Sequence, residues 1–341
     1  MDPSLPKTYK AALFEKPNGP LVIRDLELKP PGPDQVLVRV LACGVCHTDM
    51  LVREGVMGVR FPRVPGHELV GDVVAVGDNA GRFSVGERVG GAWHGGHDGT
   101  CRACARGQFN VCDAVLHNGL SFDGGYAQFA LLRAEAVVRV PRALDPADAA
   151  PLLCAGVTVF NAIRKMRVEQ GSLVAVLGVG GLGHLAVQYA RRMGYRVAAV
   201  SSGDAKRGFA TELGANVYID ASQEDVPQRL MDIDGGAAMI LATAPSPRFM
   251  GPMVSGLQAG GKLVAVAPVK NAEFNTGEMI NRGASLHGFP AGHALDAEEA
   301  IRFAQENGIK CLVERFPLEE AERAFERCGS GDVRFRAVLT M

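Results

Sequence analysis

The segment Gly178-Val-Gly-Gly-Leu-Gly183 restricts the fold of this chain more than any other. It follows an apolar run, Leu173–Leu177, that predicts a buried strand, and it opens a helical pattern. In this context Gly178 permits a tight turn, Gly180 lets a phosphate group approach the backbone, and Gly183 lets helix and strand pack closely. The N–H groups at the helix start suit a pyrophosphate. We therefore predict a dinucleotide site, with a glycine turn that binds no ligand as the alternative. The predicted cofactor-binding residues of this segment are Gly178, Gly180, Gly181, Leu182 and Gly183.

The residues that follow continue an alternation of strands and helices. We predict strands at 196–201, 217–219, 239–241, 262–266 and 286–289, and helices at 182–193 and 207–213. This order predicts an α/β fold with a parallel, doubly wound sheet. Before this region, valine-rich runs at 36–41, 69–76 and from 86 onward are broken by glycine and proline, which indicates an irregular β domain. An alanine-rich helix opening at Asp145-Pro146 marks the change in pattern. At the end of the chain we predict helices at 297–307 and 318–328 and a strand at 335–339.

Length and composition exclude several classes of protein. A chain of 341 residues exceeds the usual size of one hydrophobic core, so two domains are expected. A formal net charge of -1 without a basic run argues against nucleic acid or a membrane surface as a partner. We find neither a secretory signal pattern nor an apolar window of transmembrane length, so we expect a cytoplasmic location. In that reducing environment, the 8 cysteines indicate metal or redox chemistry rather than disulfides.

The end of the second predicted strand should distinguish NAD from NADP. An acidic residue there would bind the ribose 2′-hydroxyl of NAD. This chain has Ser201 and Ser202 instead, followed by Lys206 and Arg207, which could pair with a 2′-phosphate. Asp204 could still turn toward the ribose, and a Lys-Arg pair is often the solvated start of a helix. The charges favour NADP and leave NAD open.

Two groups of residues suggest metal sites. Cys46, His67 and Cys154 each lie in a glycine-flanked segment, and two thiolates with one imidazole form an open tetrahedral zinc site. Cys101, Cys104 and Cys112 are spaced as in a structural zinc site. The fourth ligand of that site would be Asp98, which is separated from Cys101 by two residues as Cys101 is from Cys104, or its competitor His97. A redox CxxC pair is the alternative, although no thioredoxin-like βαβ pattern surrounds it.

These motifs resemble those of the zinc-containing medium-chain alcohol dehydrogenase family over essentially the whole chain. The shared motifs are Gly-Val-Cys-His-Thr-Asp, Gly-His-Glu-x-x-Gly, Val-Gly-Glu-Arg-Val, Leu-Cys-Ala-Gly-Val-Thr and Gly-x-Gly-Gly-Leu-Gly. The resemblance implies a GroES-like β catalytic domain formed by residues 1–151 and 290–341. It also implies a Rossmann dinucleotide-binding domain at 152–289, with the cofactor in the cleft between the two domains. A homodimer or homotetramer associating through the Rossmann domain is implied as well.

The resemblance also assigns roles to individual residues. Cys46, His67 and Cys154 match the ligands of the catalytic zinc, and Asp49 and Glu68 match acidic groups of the same metal site that orient and tune the ion. Thr48 matches the hydroxyl that passes on the substrate proton. His47 and Arg336 match residues that contact the cofactor pyrophosphate, and Trp93 matches a bulky wall of the substrate pocket.

Three positions depart from the family pattern. Asp98 stands where a cysteine is usual, although some relatives have a carboxylate there, so a zinc is still expected. Leu51 stands where many relatives have a histidine that relays the proton to water, so the proton needs another exit. Ser201 replaces the acidic residue of NAD-preferring members, and NADP-using cinnamyl-type relatives have a similar serine-rich strand end.

The function implied is reversible hydride transfer between an alcohol and NAD(P). Trp93, Leu51 and Leu116 suggest an apolar pocket for a small aliphatic or benzylic alcohol. The alternatives are a zinc-free quinone or enone reductase of the same superfamily, and a non-catalytic binding or structural protein that keeps the fold. Three cysteines are expected to be packed thiols without a role, namely Cys43, Cys311 and Cys328.

Overall fold

A computed structural model describes residues 3–244, 247–331 and 333–341, and the chain forms two compact units. The first unit contains Met1–Val157, Gly292–Glu306 and Lys310–Met341, and the second contains Thr158–Ala291 and Asn307–Ile309. The sequence placed the domain boundaries at 151/152 and 289/290, and those domain limits stay a prediction.

The strands account for most of the first unit and for the centre of the second. In chain order they are β1 Thr8–Phe14, β2 Leu21–Glu27, β3 Gln35–Val45, β4 Leu69–Val76, β5 Arg88–Gly91, β6 His94–Gly96, β7 Leu116–His117, β8 Phe129–Arg133, β9 Val137–Arg139, β10 Leu173–Leu177, β11 Arg196–Ser201, β12 Val217–Asp220, β13 Ala237–Ala242, β14 Leu257–Ala265, β15 Ser285–Gly288, β16 Val313–Pro317 and β17 Arg336–Thr340.

The helices are short in the first unit and longer around the second sheet. They are α1 Asp49–Arg53, α2 Pro146–Ala149, α3 Ala155–Lys165, α4 Gly183–Arg192, α5 Arg207–Glu212, α6 Val226–Asp234, α7 Pro247–Met250, α8 Thr276–Arg282, α9 Ala294–Glu306 and α10 Ala321–Ser330. In the described part of the chain, no single helix has the length and apolarity to span a membrane. One bent pair of helices, Pro146–Leu153 with Ala155–Lys165, has the length and composition of a membrane span, but the core helices of many proteins have them as well.

The second unit is built on a six-stranded parallel sheet in the order β12-β11-β10-β13-β14-β15. Strand β10 pairs with β11 on one side and with β13 on the other, so the strand order reverses next to β10. Ligands of open α/β sheets bind beyond the carboxyl ends of the strands at such a reversal. The predicted doubly wound α/β sheet is therefore confirmed, and the glycine segment begins directly after β10.

The first unit is built on a mixed sheet in which β17 pairs antiparallel with β3, and β3 pairs with β4 and β8. Its core contains fully buried side chains such as Phe14, Leu69 and Phe325. β17 comes from the end of the chain and β3 from its start, so both ends contribute to one sheet. This agrees with the implied return of the last residues to the catalytic domain.

Local signals explain where several elements begin and end. Asp145 caps α2 because its side chain accepts hydrogen bonds from the backbone N–H groups of Ala147 and Asp148 at 2.9 and 3.3 Å. Several predicted elements have other bounds, and two of them have an evident local reason. The strand expected from residue 86 begins at Arg88, since Gly86 has a φ of 92° in the turn before it. The helix expected over 318–328 begins as a 3-10 turn and becomes α-helical only at Ala321.

Candidate active site

The carboxylate of Asp49 joins three separate segments of the first unit. It lies in the first turn of α1 and is fully buried. Its oxygens accept hydrogen bonds from the backbone N–H groups of Cys46 and Gly66, at 3.0 and 3.3 Å, and from the Tyr126 hydroxyl at 2.9 Å. A further contact of 3.4 Å connects it to Nδ1 of His67. The two turns that carry Cys46 and His67 are thus fixed relative to each other by one side chain.

The predicted catalytic ligands come together in this region. The Sγ atoms of Cys46 and Cys154 are 3.9 Å apart. The possible ligand atoms of Cys46, His67, Glu68 and Cys154 all lie within 4.8 Å of one another. Because Nδ1 of His67 faces Asp49, its Nε2 is the atom available for a metal, and this buried nitrogen has no hydrogen-bond partner among the described residues.

The donor set fits zinc. Two sulfur ligands of a tetrahedral zinc ion are about 3.8 Å apart, given the usual zinc–sulfur distance. Hydrogen bonding from Cys154, opposed by burial, holds the pKa of Cys46 well below its ordinary value. A thiolate is the form of cysteine that binds a metal. Cys46, His67 and Cys154 would hold the ion, and the carboxylate of Glu68 lies in the same cluster of possible ligand atoms.

Glu68 belongs to the same cluster and forms a buried ion pair. Its Oε1 pairs with the guanidinium of Arg336, while its Oε2 is buried without a partner in the described part of the chain. Burial raises the pKa of Glu68 to about 7, although the charge of Arg336 opposes the shift. Arg336, which the resemblance assigned to the pyrophosphate, has an exposed fraction of only 5%. In this structure its partner is Glu68, and a pyrophosphate contact stays a prediction.

Three further predicted residues lie on or beside α1. The Oγ1 of Thr48 is 3.5 Å from the Sγ of Cys46, next to the metal ligands. His47 is exposed, whereas Leu51 is half-buried one turn further along the chain. The position at which many relatives have a relay histidine is therefore occupied by an apolar side chain.

Aromatic rings line one side of the ligand cluster. The indole of Trp93 packs edge-on against the imidazole of His67, with 4.9 Å between ring centroids. His117 stacks on the same indole at 4.1 Å, and its Nδ1 is 3.3 Å from the Trp93 carbonyl oxygen. Leu116, which we predicted for the pocket, lies in β7 opposite Gly96. The roles of His117 and Tyr126 could not be predicted from the sequence, because only the pairing of distant segments brings these residues close to Trp93 and Asp49.

A second cluster forms the predicted structural metal site. The Oδ1 of Asp98 lies 3.7 Å from Cys104 Sγ and 3.4 Å from Cys112 Sγ, and the Sγ atoms of Cys101 and Cys112 are 3.8 Å apart. The four possible ligand atoms lie within 4.8 Å of one another. The Nδ1 of His97 instead faces Nε2 of His94 at 3.2 Å. The structure thus brings Asp98, rather than His97, together with the three cysteines.

The other three cysteines are packed thiols, as expected. Cys43 and Cys311 are buried, and Cys328 is half-buried with its Sγ 3.6 Å from the carbonyl oxygen of Val45. Burial raises the pKa of Cys328 to about 12, so it is a neutral thiol at physiological pH.

The glycine segment of the second unit has the geometry predicted for a phosphate-binding turn. Gly178 has a φ of 98°, a conformation that side chains disfavour. A Cβ atom on Gly183 would lie 1.8 Å from the Gly178 carbonyl oxygen, so a side chain is sterically excluded there. A Cβ atom on Gly180 would meet nothing within 4 Å. Open space in front of Gly180 at the start of α4 is what a pyrophosphate requires. Gly181 and Leu182 are half-buried in the same turn.

The residues predicted to read the ribose lie at the end of β11. Ser201 is half-buried, Ser202 is exposed, and Lys206 is half-buried just before α5. Arg207 forms an ion pair with Asp204, with 2.7 Å between Nε and Oδ1. Asp204, the acidic residue of this segment, is therefore paired with Arg207 of the same segment.

Comparisons with known proteins identify the family of this chain. Residues 32–142 match the family model described as an alcohol dehydrogenase GroES-like domain, and residues 181–306 match that of a zinc-binding dehydrogenase. An alcohol dehydrogenase of Penicillium expansum, patD, is 48% identical, and the alignment covers 100% of both chains. This chain belongs to the zinc-containing medium-chain alcohol dehydrogenase family.

Other members of the family are similar over almost their whole length. An alcohol dehydrogenase of Geobacillus stearothermophilus is 37% identical over 97% of this chain and 99% of its own. Among solved structures, a cinnamyl alcohol dehydrogenase of Sorghum bicolor has a TM-score of 0.89 and 31% identity, covering 98% of each chain. The family's combination of a GroES-like domain with a parallel-sheet nucleotide-binding domain agrees with the two units described above.

Proposed function

We propose that this chain is a zinc-dependent alcohol dehydrogenase that also works in reverse as an aldehyde or ketone reductase. The observation that carries the proposal is the clustering of Cys46, His67 and Cys154. The buried Nε2 of His67 in this cluster has no hydrogen-bond partner among the described residues. Membership of the family and the alcohol dehydrogenase names of its similar members support it. A zinc-free quinone or enone reductase would have no use for these three ligands together.

The chemistry divides between bound groups and the chain's own residues. When bound, zinc supplies Lewis-acid polarisation of the substrate oxygen, and the nicotinamide supplies the hydride acceptor. Thr48 Oγ1, beside Cys46, accepts the proton of the alcohol through a hydrogen bond. Because Leu51 cannot carry the proton further, the proton leaves through water or another group. Asp49 and Tyr126 hold the ligand turns in place, and Trp93 shields one side of the reacting centre.

For the cofactor, we propose NADP as the preferred form. Ser201 and Ser202 carry no charge that would repel a 2′-phosphate, and Lys206 supplies a nearby cation. The ion pair between Asp204 and Arg207 reduces the preference, since Asp204 competes with the phosphate for the guanidinium.

For the substrate, we propose a small aliphatic or benzylic primary or secondary alcohol. The stacked rings of Trp93 and His117 form a flat wall beside His67. Burial lowers the pKa of His117 to about 4, so this ring is uncharged at physiological pH and suits a neutral substrate. A cytoplasmic location and assembly as a homodimer or homotetramer stay predictions.

Zinc analysis combined with initial rates tests the proposal. We expect two zinc ions per chain and reduction of NADP by a panel of alcohols, faster than reduction of NAD at equal concentration. Cys46→Ser should remove one zinc and all turnover, whereas Cys328→Ser, a matched change of a thiol that binds no metal, should remove neither. One zinc with full activity would contradict the Asp98 site alone. Absence of both metal and turnover would overturn the enzyme assignment in favour of a non-catalytic protein.

A further inference from the structure

The turn that follows β11 is held in place by hydrogen bonds to side chains of the neighbouring strand β12. Gly203 lies at its centre with a φ of 73°. The backbone N–H of Gly203 donates to Oδ1 of Asp220 at 2.7 Å, and its carbonyl oxygen accepts from the Tyr218 hydroxyl at 2.5 Å. The backbone N–H and the carbonyl oxygen of Gly203 are thus both held by side chains of β12.

These two side chains are themselves fixed. Asp220 has an exposed fraction of 8%, and its Oδ1 also accepts from the backbone N–H and the hydroxyl of Ser222, at 2.9 and 2.6 Å. Tyr218 is equally buried, at 8%, and the guanidinium of Arg207 lies 4.7 Å from its ring centroid. A carboxylate with three donors on one oxygen strongly resists displacement.

The turn after β11 contains the residues that would recognise the 2′-hydroxyl or 2′-phosphate of the cofactor ribose. Ser201 and Ser202 precede Gly203, and Arg207 is bound to both the turn and β12 through Asp204 and Tyr218. Recognition by hydroxyl groups depends on fixed donor positions, because a loop that must be ordered on binding loses affinity to the entropy of ordering. The 2′-phosphate is the only part of NADP that NAD lacks.

We propose that Asp220, assisted by Tyr218, is a positioning residue that sets the discrimination between NADP and NAD. It acts by holding Gly203 so that the Ser201–Ser202 turn is formed before the cofactor arrives. This inference rests on the proposed function, since it concerns the nicotinamide cofactor of that reaction. It predicts that residues of β12, outside the Ser201–Ser202 turn, control which form of the cofactor binds.

Calorimetric titration of NADP and NAD into the full-length protein tests the inference without measuring turnover. Asp220→Ala should raise the Kd for NADP about tenfold, the loss associated with a hydrogen bond to a charged group, and the Kd for NAD by about twofold. Asp220→Asn keeps an acceptor oxygen and should restore the Kd for NADP to within about threefold of the original. Tyr218→Phe keeps the ring under Arg207 and should give an intermediate loss.

Ser255→Ala provides the control, because it removes a side-chain hydrogen bond of the second unit, from the Ser255 hydroxyl to the Pro252 carbonyl oxygen at 2.8 Å, that involves neither Asp220 nor Gly203. It should leave both dissociation constants unchanged. Equal weakening of NADP and NAD by Asp220→Ala, or a lower Tm with unchanged affinities, would overturn the positioning role. If Asp220→Ala does not fold, an unchanged ratio of affinities in Tyr218→Phe overturns it instead. If the original protein binds neither nucleotide, the proposed function fails first, and this inference fails with it.

Discussion

Asp49 illustrates how a residue outside the metal-ligand set governs the site. It is a fully buried carboxylate whose charge is balanced by donors from three segments and by the imidazole of His67. An acidic group behind a histidine ligand orients the ring and increases its basicity. The position of the ring in this chain therefore depends on the donors that hold Asp49.

Tyr126→Phe removes one of these donors while keeping the buried ring. We expect it to lower the free energy of unfolding by about 1.5–3 kcal/mol, because the hydrogen bond from the hydroxyl ends on a charged group. Metal affinity at the catalytic site should also fall, by about 10- to 100-fold. Denaturant unfolding and competition with a chelator measure the two effects.

Tyr195→Phe is the control for this prediction. Its hydroxyl donates to a neutral acceptor, the carbonyl oxygen of Val168, at 3.2 Å. Its loss should cost about 0.5–1.5 kcal/mol and leave zinc affinity unchanged. If the two variants lost the same stability and both kept their zinc, Asp49 would not depend on Tyr126.

The structural metal site can also be tested with single substitutions, because Asp98 and His97 are the two candidates for its fourth ligand. Asp98→Ala should release one zinc ion and lower the Tm, because three thiols would lose their fourth partner. His97→Ala should keep both ions, since His97 faces His94 and Phe109 instead of the cysteines. Zinc counting by mass spectrometry on the two purified variants decides the assignment, and the reverse pattern would make His97 the ligand.

At the scale of elements, the glycine segment between β10 and α4 offers a matched pair of substitutions. Gly180→Ala adds a methyl group where the structure has open space, so the Tm should change little. The Kd for NADP should nevertheless rise by roughly tenfold or more, because the methyl group occupies the approach of the pyrophosphate. Gly183→Ala forces a methyl group against the Gly178 carbonyl oxygen and should lower the Tm as well.

Thermal unfolding and nucleotide titration of both variants give the readouts. Unchanged NADP affinity in Gly180→Ala would mean that the pyrophosphate does not bind at this turn. The pair separates loss of binding from loss of folding, which neither substitution achieves alone.

The success of sequence-based prediction differed between elements for physical reasons. β4, β10 and β11 were predicted at their observed bounds, since each is an apolar run between turn residues. β1 and β2 were missed because they carry an irregular mixture of buried and exposed residues instead of a continuous apolar run. Motif spacing was sufficient to predict which residues form the two clusters of possible ligand atoms. It could not reveal Tyr126, which is 77 residues from Asp49.

At the scale of the whole molecule, the two units allow zinc removal and nucleotide binding to be separated. The ligand clusters lie in the first unit, whereas the glycine segment and the turn after β11 lie in the second. Removing zinc with a chelator should abolish turnover and lower the Tm. Binding of adenosine 2′,5′-bisphosphate, which carries the phosphate and adenine groups but no nicotinamide, should remain within about twofold of its original affinity.

Calorimetric titration before and after dialysis against the chelator measures this affinity, and added zinc provides the reversal control. A large loss of affinity in the zinc-free protein would contradict the prediction. It would mean that the conformation of the nucleotide-binding residues depends on the metal.

The hydrogen bonds around Asp49 also bear on how the metal enters. They connect the turn of Cys46, the turn of His67 and the strand region of Tyr126 through protein groups alone. Cys46 and His67 therefore need not find one another after the ion arrives, and little chain entropy is lost at that moment. We expect zinc uptake by the folded apoprotein to be a fast second-order process whose rate follows ion concentration. A rate independent of zinc would point to slow rearrangement of the chain.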